Sequence, residues 1–447
     1  MKNWIVLLCL ASTAIALGQK SQNRFKSEVD LGHGSVFSTF FESTIADGKF
    51  TITSPKNADV RIMGGKARLG RIIGKSPKKG IIVSIEGMVR NDSLFGQTKI
   101  PMFGKLFFKG IITDQQLQGV LIDEDGEPVG KVTGTQSTAH KIDYASLCPE
   151  LLQTIKDNIY AARVLETSQW KEFETNLKRH CDESVDDIEL FFGFNTLAQK
   201  LPFTHLTLQI AEIAKEEEPT DAKGSVVVEE KNATTAYVQI KNFSTSKQQL
   251  AEAMPKVVAN RNYDNLIIDL RNNGGGGINA AFELAKYIVS EDIEVGYFVS
   301  NKLQYSGFDQ ALFNTLPAVQ PKSTAAFGDD LRTKPGLRMI FRKPDNPIFK
   351  GQIYVLTNGR TASTCEPIVY ALKKNKKATI IGETTYGGML AASPFAVSGK
   401  YVVMVPIGDF YTADGVRLDK VGVTPDIATK SDDALAKALE LINNHKK

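Results

Sequence analysis

From about residue 225 onward, short apolar runs alternate with helical patterns, and this alternation restricts the fold more than any other feature of the chain. Tyr237-Val238-Gln239-Ile240, Leu266-Ile267-Ile268-Asp269-Leu270, Ile293 to Val299, Ile353-Tyr354-Val355-Leu356 and Thr379-Ile380-Ile381 are apolar on successive residues. A strand with apolar side chains on both sides must be covered on both faces. Helical patterns over 247–260, 277–289 and 364–374 lie between several of these strands and can supply that cover. The pattern predicts an α/β layered core over about 206–430. A stretch rich in Pro, Gly and mixed charge at about 302–348 reads as an inserted excursion or lid, and 431–447 as a C-terminal helix or tail.

Two different textures precede the core. Residues 25–142 read as a separate N-terminal all-β domain, with short runs such as Lys49-Phe50-Thr51-Ile52, Gly80 to Ile85 and Gly104 to Phe108. Asp47-Gly48 and Asp125-Gly126 are hairpin-type dipeptides. This domain has no acid–base cluster, and Gly64-Gly65-Lys66-Ala67 lacks the spacing of a phosphate loop. Its role is open between a binding or targeting module and a structural domain.

Residues 143–205 read as a helical subdomain, with Leu151, Leu152, Ile155, Ile159, Ala162 and Leu165 at helical spacing. Cys148 opens one helical pattern and Cys181 closes the next. An antiparallel helix pair turning at Thr167-Ser168 would bring the two together as a disulfide; two unpaired buried thiols are the alternative.

Lys2, the apolar run Trp4 to Leu10 and the small residues Ala11, Ser12, Thr13, Ala14 and Ala16 form the pattern of a cleavable signal peptide over 1–18. The run is too short to span a bilayer, and no other stretch is long and apolar enough. A periplasmic or secreted protein is expected. An exported chain favours disulfides, and the cysteines lack metal-type spacing, so no metal or cofactor is expected. The 447 residues carry a net charge of +4, with little clustering beyond Lys373-Lys374 and Lys376-Lys377, so nothing points to nucleic acid. Oligomeric state is not legible.

The chemistry centres on Thr361-Ala362-Ser363-Thr364-Cys365-Glu366, where a buried strand gives way to a helix. A serine there can be a nucleophile, with the N–H groups of the following turn facing the oxyanion its attack creates. Ser363-x-x-Glu366 also fits a capping box, in which the serine is a plain helix cap. Of the five histidines, His33 and His140 fall in or beside the β-domain, His180 at a charged helix end and His445 in the tail. His205 leads into the α/β core. The glycine run after Asp269-Leu270-Arg271-Asn272-Asn273 can bring bare backbone N–H groups to a carbonyl oxygen, or be a flexible turn. Cys365 reads as helix packing.

Four segments in order resemble the tail-specific (C-terminal processing) and tricorn-type serine peptidases. They are Asp269 to Asn273 with its glycines, Thr361 to Glu366, Ile381-Gly382-Glu383-Thr384-Thr385-Tyr386-Gly387-Gly388, and Val421-Gly422-Val423-Thr424-Pro425-Asp426. The resemblance implies a crotonase- or Clp-like layered β/α core and a peptide or protein substrate. By position it makes Ser363 the nucleophile, and gives the oxyanion hole to the Gly275 and Gly276 region and the Thr364 N–H. The processing branch carries its lysine base where this chain has Gly388. The tricorn-type branch uses a His preceded by Ser, which Thr204-His205 resembles, with Asp419 near its acidic position. Asp419 is one methylene shorter than the Glu of that branch, which leaves its reach open. About thirty residues separate His205 from Tyr237, too few for the PDZ domain of many relatives. The expectation is an exported serine endopeptidase with His205 as base. The alternative is a non-catalytic peptide- or lipophile-binding protein on the same fold; a thioester hydrolase is the minor third reading, because no coenzyme A signature is present.

Overall fold

The computed structural model describes residues 21–32, 35–54, 83–100, 104–210, 224–260, 262–320 and 323–444. The segment read as a signal peptide, His33, His445 and the Gly64-Gly65-Lys66-Ala67 stretch lie outside these residues. The chain divides into two compact units, one of residues 1–145 and 179–196, the other of 146–178 and 197–447. The helical segment expected as a subdomain over 143–205 is therefore shared between them.

The first unit is a closed barrel of eight strands in sequence order. They are β1 (Ser21–Asp30), β2 (Val36–Ala46), β3 (Lys49–Ser54), β4 (Val83–Arg90), β5 (Ser93–Ile100), β6 (Gly104–Ile112), β7 (Gln116–Ile122) and β8 (Pro128–Gln136). β8 closes on β1 with Val132 opposite Val29. Asp47 and Gly48 both take positive φ, which the tight β2–β3 hairpin requires. Alternate side chains fill the interior: Leu106 and Phe108 of β6 point in, while Phe107 and Ile111 are exposed. The Phe108 ring occupies space that side chains at positions 110 and 119 would need. A Cβ on Gly119 would come within 2.2 Å of it, and one on Gly110 within 2.6 Å. Asp186 and Asp187 join residues 179–196 to this unit, accepting bonds from Ser54 Oγ at 3.1 Å and the Ser38 N–H at 2.6 Å.

The second unit is layered. Its first sheet has the order β10 (Val226–Asn232), β11 (Thr235–Ile240), β12 (Asn265–Asp269), β15 (Gln352–Thr357), β16 (Thr379–Gly382), β19 (Ile427–Ala428). All its pairings are parallel except the β10–β11 hairpin. Leu266, Ile268, Ile353 and Val355 face one core with helices Lys247–Ala259, Ile278–Ala285 and Cys365–Lys374. Ile267, Tyr354 and Leu356 face the other way, under helix Ala434–Asn444. The unbroken apolar runs of these strands thus reflect cover on both faces.

A second, antiparallel sheet was not legible in the strand–helix alternation. It contains β14 (Gly336–Phe341), β13 (Ile293–Ser300), β18 (Tyr401–Thr412) and β17 (Ala391–Val397), with β9 (Thr207–Ile210) also paired to β18. The expected lid at 302–348 is packed in place: β14 extends this sheet, and Phe313 is fully buried against Tyr297 and Tyr411.

Neither Cys148 nor Cys181 is a free thiol, and Cys365 is a buried free thiol. Among the described residues, no helix is long and apolar enough to cross a membrane, and no group of His, Cys, Asp and Glu is arranged to hold a metal. Phe108→Ala is expected to destabilise the barrel by about 3–5 kcal/mol, read as a lower denaturant midpoint with an unchanged slope.

Candidate active site

The loop after β12 is shaped by its own polar groups. Asn273 donates Nδ2–H to the Ile240 carbonyl at 2.9 Å, and its Oδ1 accepts the Gly275 N–H at 2.9 Å. Gly275 and Gly276 have φ of 96° and 129°, values that L side chains avoid. Space forbids side chains as well: a Cβ on Gly275 would lie 2.6 Å from Ser363 Cβ, and one on Gly276 2.4 Å from the Ser244 nitrogen. The glycine run is therefore a fitted loop against Ser363. The Gly276 carbonyl accepts the Thr364 hydroxyl at 2.6 Å, fastening the loop to the start of the Cys365–Lys374 helix.

Ser363 stands between β15 and that helix with φ of 56°, a left-handed conformation that costs a serine about 1–2 kcal/mol. Half of the expected capping box forms: the Ser363 N–H donates to Glu366 Oε2 at 3.0 Å. The other half does not, because the helix has no side-chain cap bond and Ser363 Oγ bonds no other described residue. The serine hydroxyl is left unused by the fold.

Glu366 is fully buried. Besides the Ser363 N–H, it accepts the Thr385 hydroxyl at 2.6 Å and the N–H groups of Gly387 and Gly388 at 2.7 and 2.8 Å. Burial raises its pKa, and these four donors oppose the shift. Sequence reasoning saw only the capping role of this residue. The polar loop it grips, Thr384-Thr385-Tyr386-Gly387-Gly388, was the available signal.

His205 also has positive φ, 66°, just before β9. Its Nδ1 is 2.7 Å from Thr204 Oγ1, and the Thr204 hydroxyl in turn bonds Asp419 Oδ1. Asp419 also accepts the N–H groups of Thr204 and Met389, each at 3.2 Å. The shorter aspartate therefore reaches Thr204, and through it His205. A hydroxyl has one proton. With that proton given to the carboxylate, Thr204 Oγ1 must accept from Nδ1–H, which leaves Nε2 without a proton. Burial lowers the His205 pKa from 6.5 to about 4, keeping the ring neutral.

Gly388 links the two halves. Its N–H shares Glu366 Oε2 with the Ser363 N–H, and a Cβ at this position would lie 3.8 Å from His205 Cε1. Ser363 and His205 thus reach one locality from distant segments, although no hydrogen bond joins the serine hydroxyl to the ring in this conformation. Of the oxyanion candidates, the Gly275 N–H is engaged by Asn273, whereas the Gly276 and Thr364 N–H groups bond no other described residue. Cys365 is fully buried, bonds the Asn273 carbonyl at 3.5 Å and has its thiol pKa pushed up by burial, so it packs rather than reacts. His180 is buried too, 2.9 Å from the Glu189 carbonyl, while His140 is exposed beside Arg24.

If the Ser363 hydroxyl does no capping, Ser363→Ala should leave the thermal midpoint of unfolding unchanged. A lost cap would cost about 1 kcal/mol and lower that midpoint measurably.

Residues 234–429 match peptidase family S41. The carboxyl-terminal-processing peptidase 2 of Arabidopsis thaliana chloroplasts is 25% identical over 190 residues, covering 42% of this chain and 31% of that protein. The carboxyl-terminal-processing protease of Synechocystis sp. is 26% identical over 194 residues, covering 43% and 37%. The chain spans about a third of the length of these curated relatives. Among solved structures, a photosystem II D1 C-terminal processing protease aligns with a TM-score of 0.36 at 16% identity, covering 64% of this chain and 92% of that one. Thr204 and His205 precede the matched segment, whereas the glycine loop, Ser363 and Asp419 lie inside it. The similarity to peptidase family S41 thus covers residues 234–429, less than half of the chain.

Proposed function

We propose that the chain is an exported serine endopeptidase that cleaves peptide bonds through an acyl-enzyme on Ser363. One observation carries this reading: the hydrogen-bond chain from Asp419 through Thr204 to His205 leaves Nε2 bare, in the locality of a strained serine hydroxyl with no other bond. His205 takes the Ser363 proton as the hydroxyl attacks the scissile carbonyl, then returns it to the leaving amine. Thr204 and Asp419 hold the Nδ1–H tautomer and stabilise the imidazolium formed. The Gly276 and Thr364 N–H groups receive the oxyanion, where losing one donor typically costs about 2.7–4 kcal/mol of barrier. Water activated by His205 then releases the acyl group. Export rests on the Lys2 and Trp4 to Leu10 pattern. The parallel sheet covered on both faces supports reading the core as crotonase- or Clp-like.

The non-catalytic binding protein remains as a second reading, favoured by the lack of a hydrogen bond between Ser363 and His205. Catalytic hydrogen bonds often tighten only when substrate binds, so labelling decides between the two. A fluorophosphonate probe is expected to modify the wild-type protein, but not Ser363→Ala, and to modify His205→Ala only weakly. A folded wild-type protein that takes no label and cleaves no unfolded protein substrate would sink the peptidase reading.

The lowered His205 pKa sets the pH dependence. The base stays neutral and active as pH falls through 6.5 and is lost only as pH approaches about 4. The acid limb of kcat/KM is therefore expected near 4. An acid limb at the ordinary histidine value would contradict a buried base. Thr204→Val should lower kcat by about 10²-fold or more with KM little changed.

A further inference from the structure

The acid of this relay is itself held by a second buried ion pair. Arg417 Nη2 lies 3.6 Å from Asp419 Oδ2, and its Nε donates to Asp409 Oδ1 at 2.8 Å. Asp409 is fully buried in β18. Its Oδ2 lies 3.6 Å from Arg163 Nη2 and accepts the Tyr305 hydroxyl at 3.5 Å. Arg163 in turn stacks 4.3 Å over the Tyr305 ring and donates to the Tyr305 carbonyl at 3.1 Å. Arg417 Nη2 also donates to the Tyr160 hydroxyl at 3.2 Å, and the Tyr160 ring packs edge-on against Phe203, the residue before Thr204. The charges alternate along the row Arg163, Asp409, Arg417, Asp419, and the row ends at the carboxylate that receives the Thr204 proton.

The direction of the relay depends on that last charge. An ionised Asp419 can only accept, so Thr204 donates to it and accepts from His205 Nδ1–H. A protonated Asp419 can donate to Thr204 Oγ1. The Thr204 hydroxyl is then free to donate to Nδ1, which moves the imidazole proton to Nε2, where it blocks acceptance from serine. A carboxylate buried this deeply does not stay ionised without a compensating partner.

We infer that Arg417, clamped by Asp409, is a positioning residue that keeps Asp419 ionised and so fixes the direction of the Asp419–Thr204–His205 relay. This rests on the proposed role of His205 as base. The groups facing Asp419 are Arg417, Lys420, Asp409 and, through Thr204, His205; those facing Asp409 are Arg163, Tyr305, Tyr411 and Tyr160. Burial raises the Asp419 pKa, and Thr204, Arg417 and Lys420 oppose the rise. Removing the Arg417 charge therefore moves loss of the relay to higher pH.

The test compares Arg417→Gln and Arg417→Lys, with Asp409→Asn as a second route that keeps the guanidinium but frees it. For Arg417→Gln, the acid limb of kcat on a peptide substrate should rise by about one unit, which lowers kcat up to about tenfold on the acid side of that limb, with KM little changed. Activity should recover as pH rises toward neutral, Arg417→Lys should restore the wild-type limb, and Asp409→Asn should shift it in the same direction by less. An equal loss at every pH, or a change in KM alone, would mean a structural role and overturn the inference. A second readout needs no catalysis: the ¹⁵N shifts of the His205 ring, assigned with His205→Ala, report its tautomer. At a pH between the two acid limbs, the wild type should hold the proton on Nδ1 and Arg417→Gln should populate Nε2–H. If the wild type hydrolyses nothing but this tautomer shift occurs, the peptidase reading fails and the positioning role stands. If the tautomer is the same in both, the positioning role fails.

Discussion

The site hangs on the buried carboxylate of Glu366. Its two oxygens accept four donors, from Ser363, Thr385, Gly387 and Gly388. A carboxylate this deep is tolerated only when hydrogen-bonded, so the four groups are pulled to it and hold one another in place. The consequences spread outward. The Ser363 backbone is locked in its left-handed turn, and the loop through Gly388 is fixed beside the His205 ring. The Gly387 carbonyl then receives the Lys420 N–H at 2.6 Å, setting the chain next to Asp419.

Backbone strain gathers around the same point. Asn272, Ser363, His205 and Lys420 all take positive φ without being glycine. Each such residue costs of order 1–3 kcal/mol and persists only where the surroundings over-determine it. The surroundings here are strands covered on both faces, with Val355, Leu356 and Ile268 almost entirely removed from water. A stiff core holds the turns that deliver the polar groups.

The placement of the proposed base has a spatial logic. The processing peptidases that the sequence resembles carry a lysine where this chain has Gly388. A side chain starting at that position would point to within 3.8 Å of the His205 ring. Such a Cβ would press first on the Tyr386 ring, 2.8 Å away, and would only touch the His205 ring, which arrives on a segment outside the matched family region. Glycine at 388 keeps that space open and leaves its N–H for Glu366.

Much of the architecture was legible in the chain itself. Burial on both faces writes unbroken apolar runs, so β11, β12, β15 and β16 and the helix Cys365–Lys374 were readable from hydrophobic pattern alone. Asp47-Gly48 was readable because few residues tolerate positive φ. The run of β13 was readable too, but its place in an antiparallel sheet was not, because it pairs with β18 across a long stretch of intervening chain. Nor was the sharing of 143–205 between two units. At the site, the order of motifs pointed to Ser363, and the scarcity of histidines to His205. Only the tertiary structure decided that the serine hydroxyl is not a helix cap, that Gly275 has its N–H already engaged while Gly276 does not, and that Asp419 reaches Thr204. The hydrogen bond from Thr204 to Asp419 spans 215 positions of chain. A sequence records which groups can donate and accept, but the partner each one finds depends on contacts between segments that only the folded chain brings together.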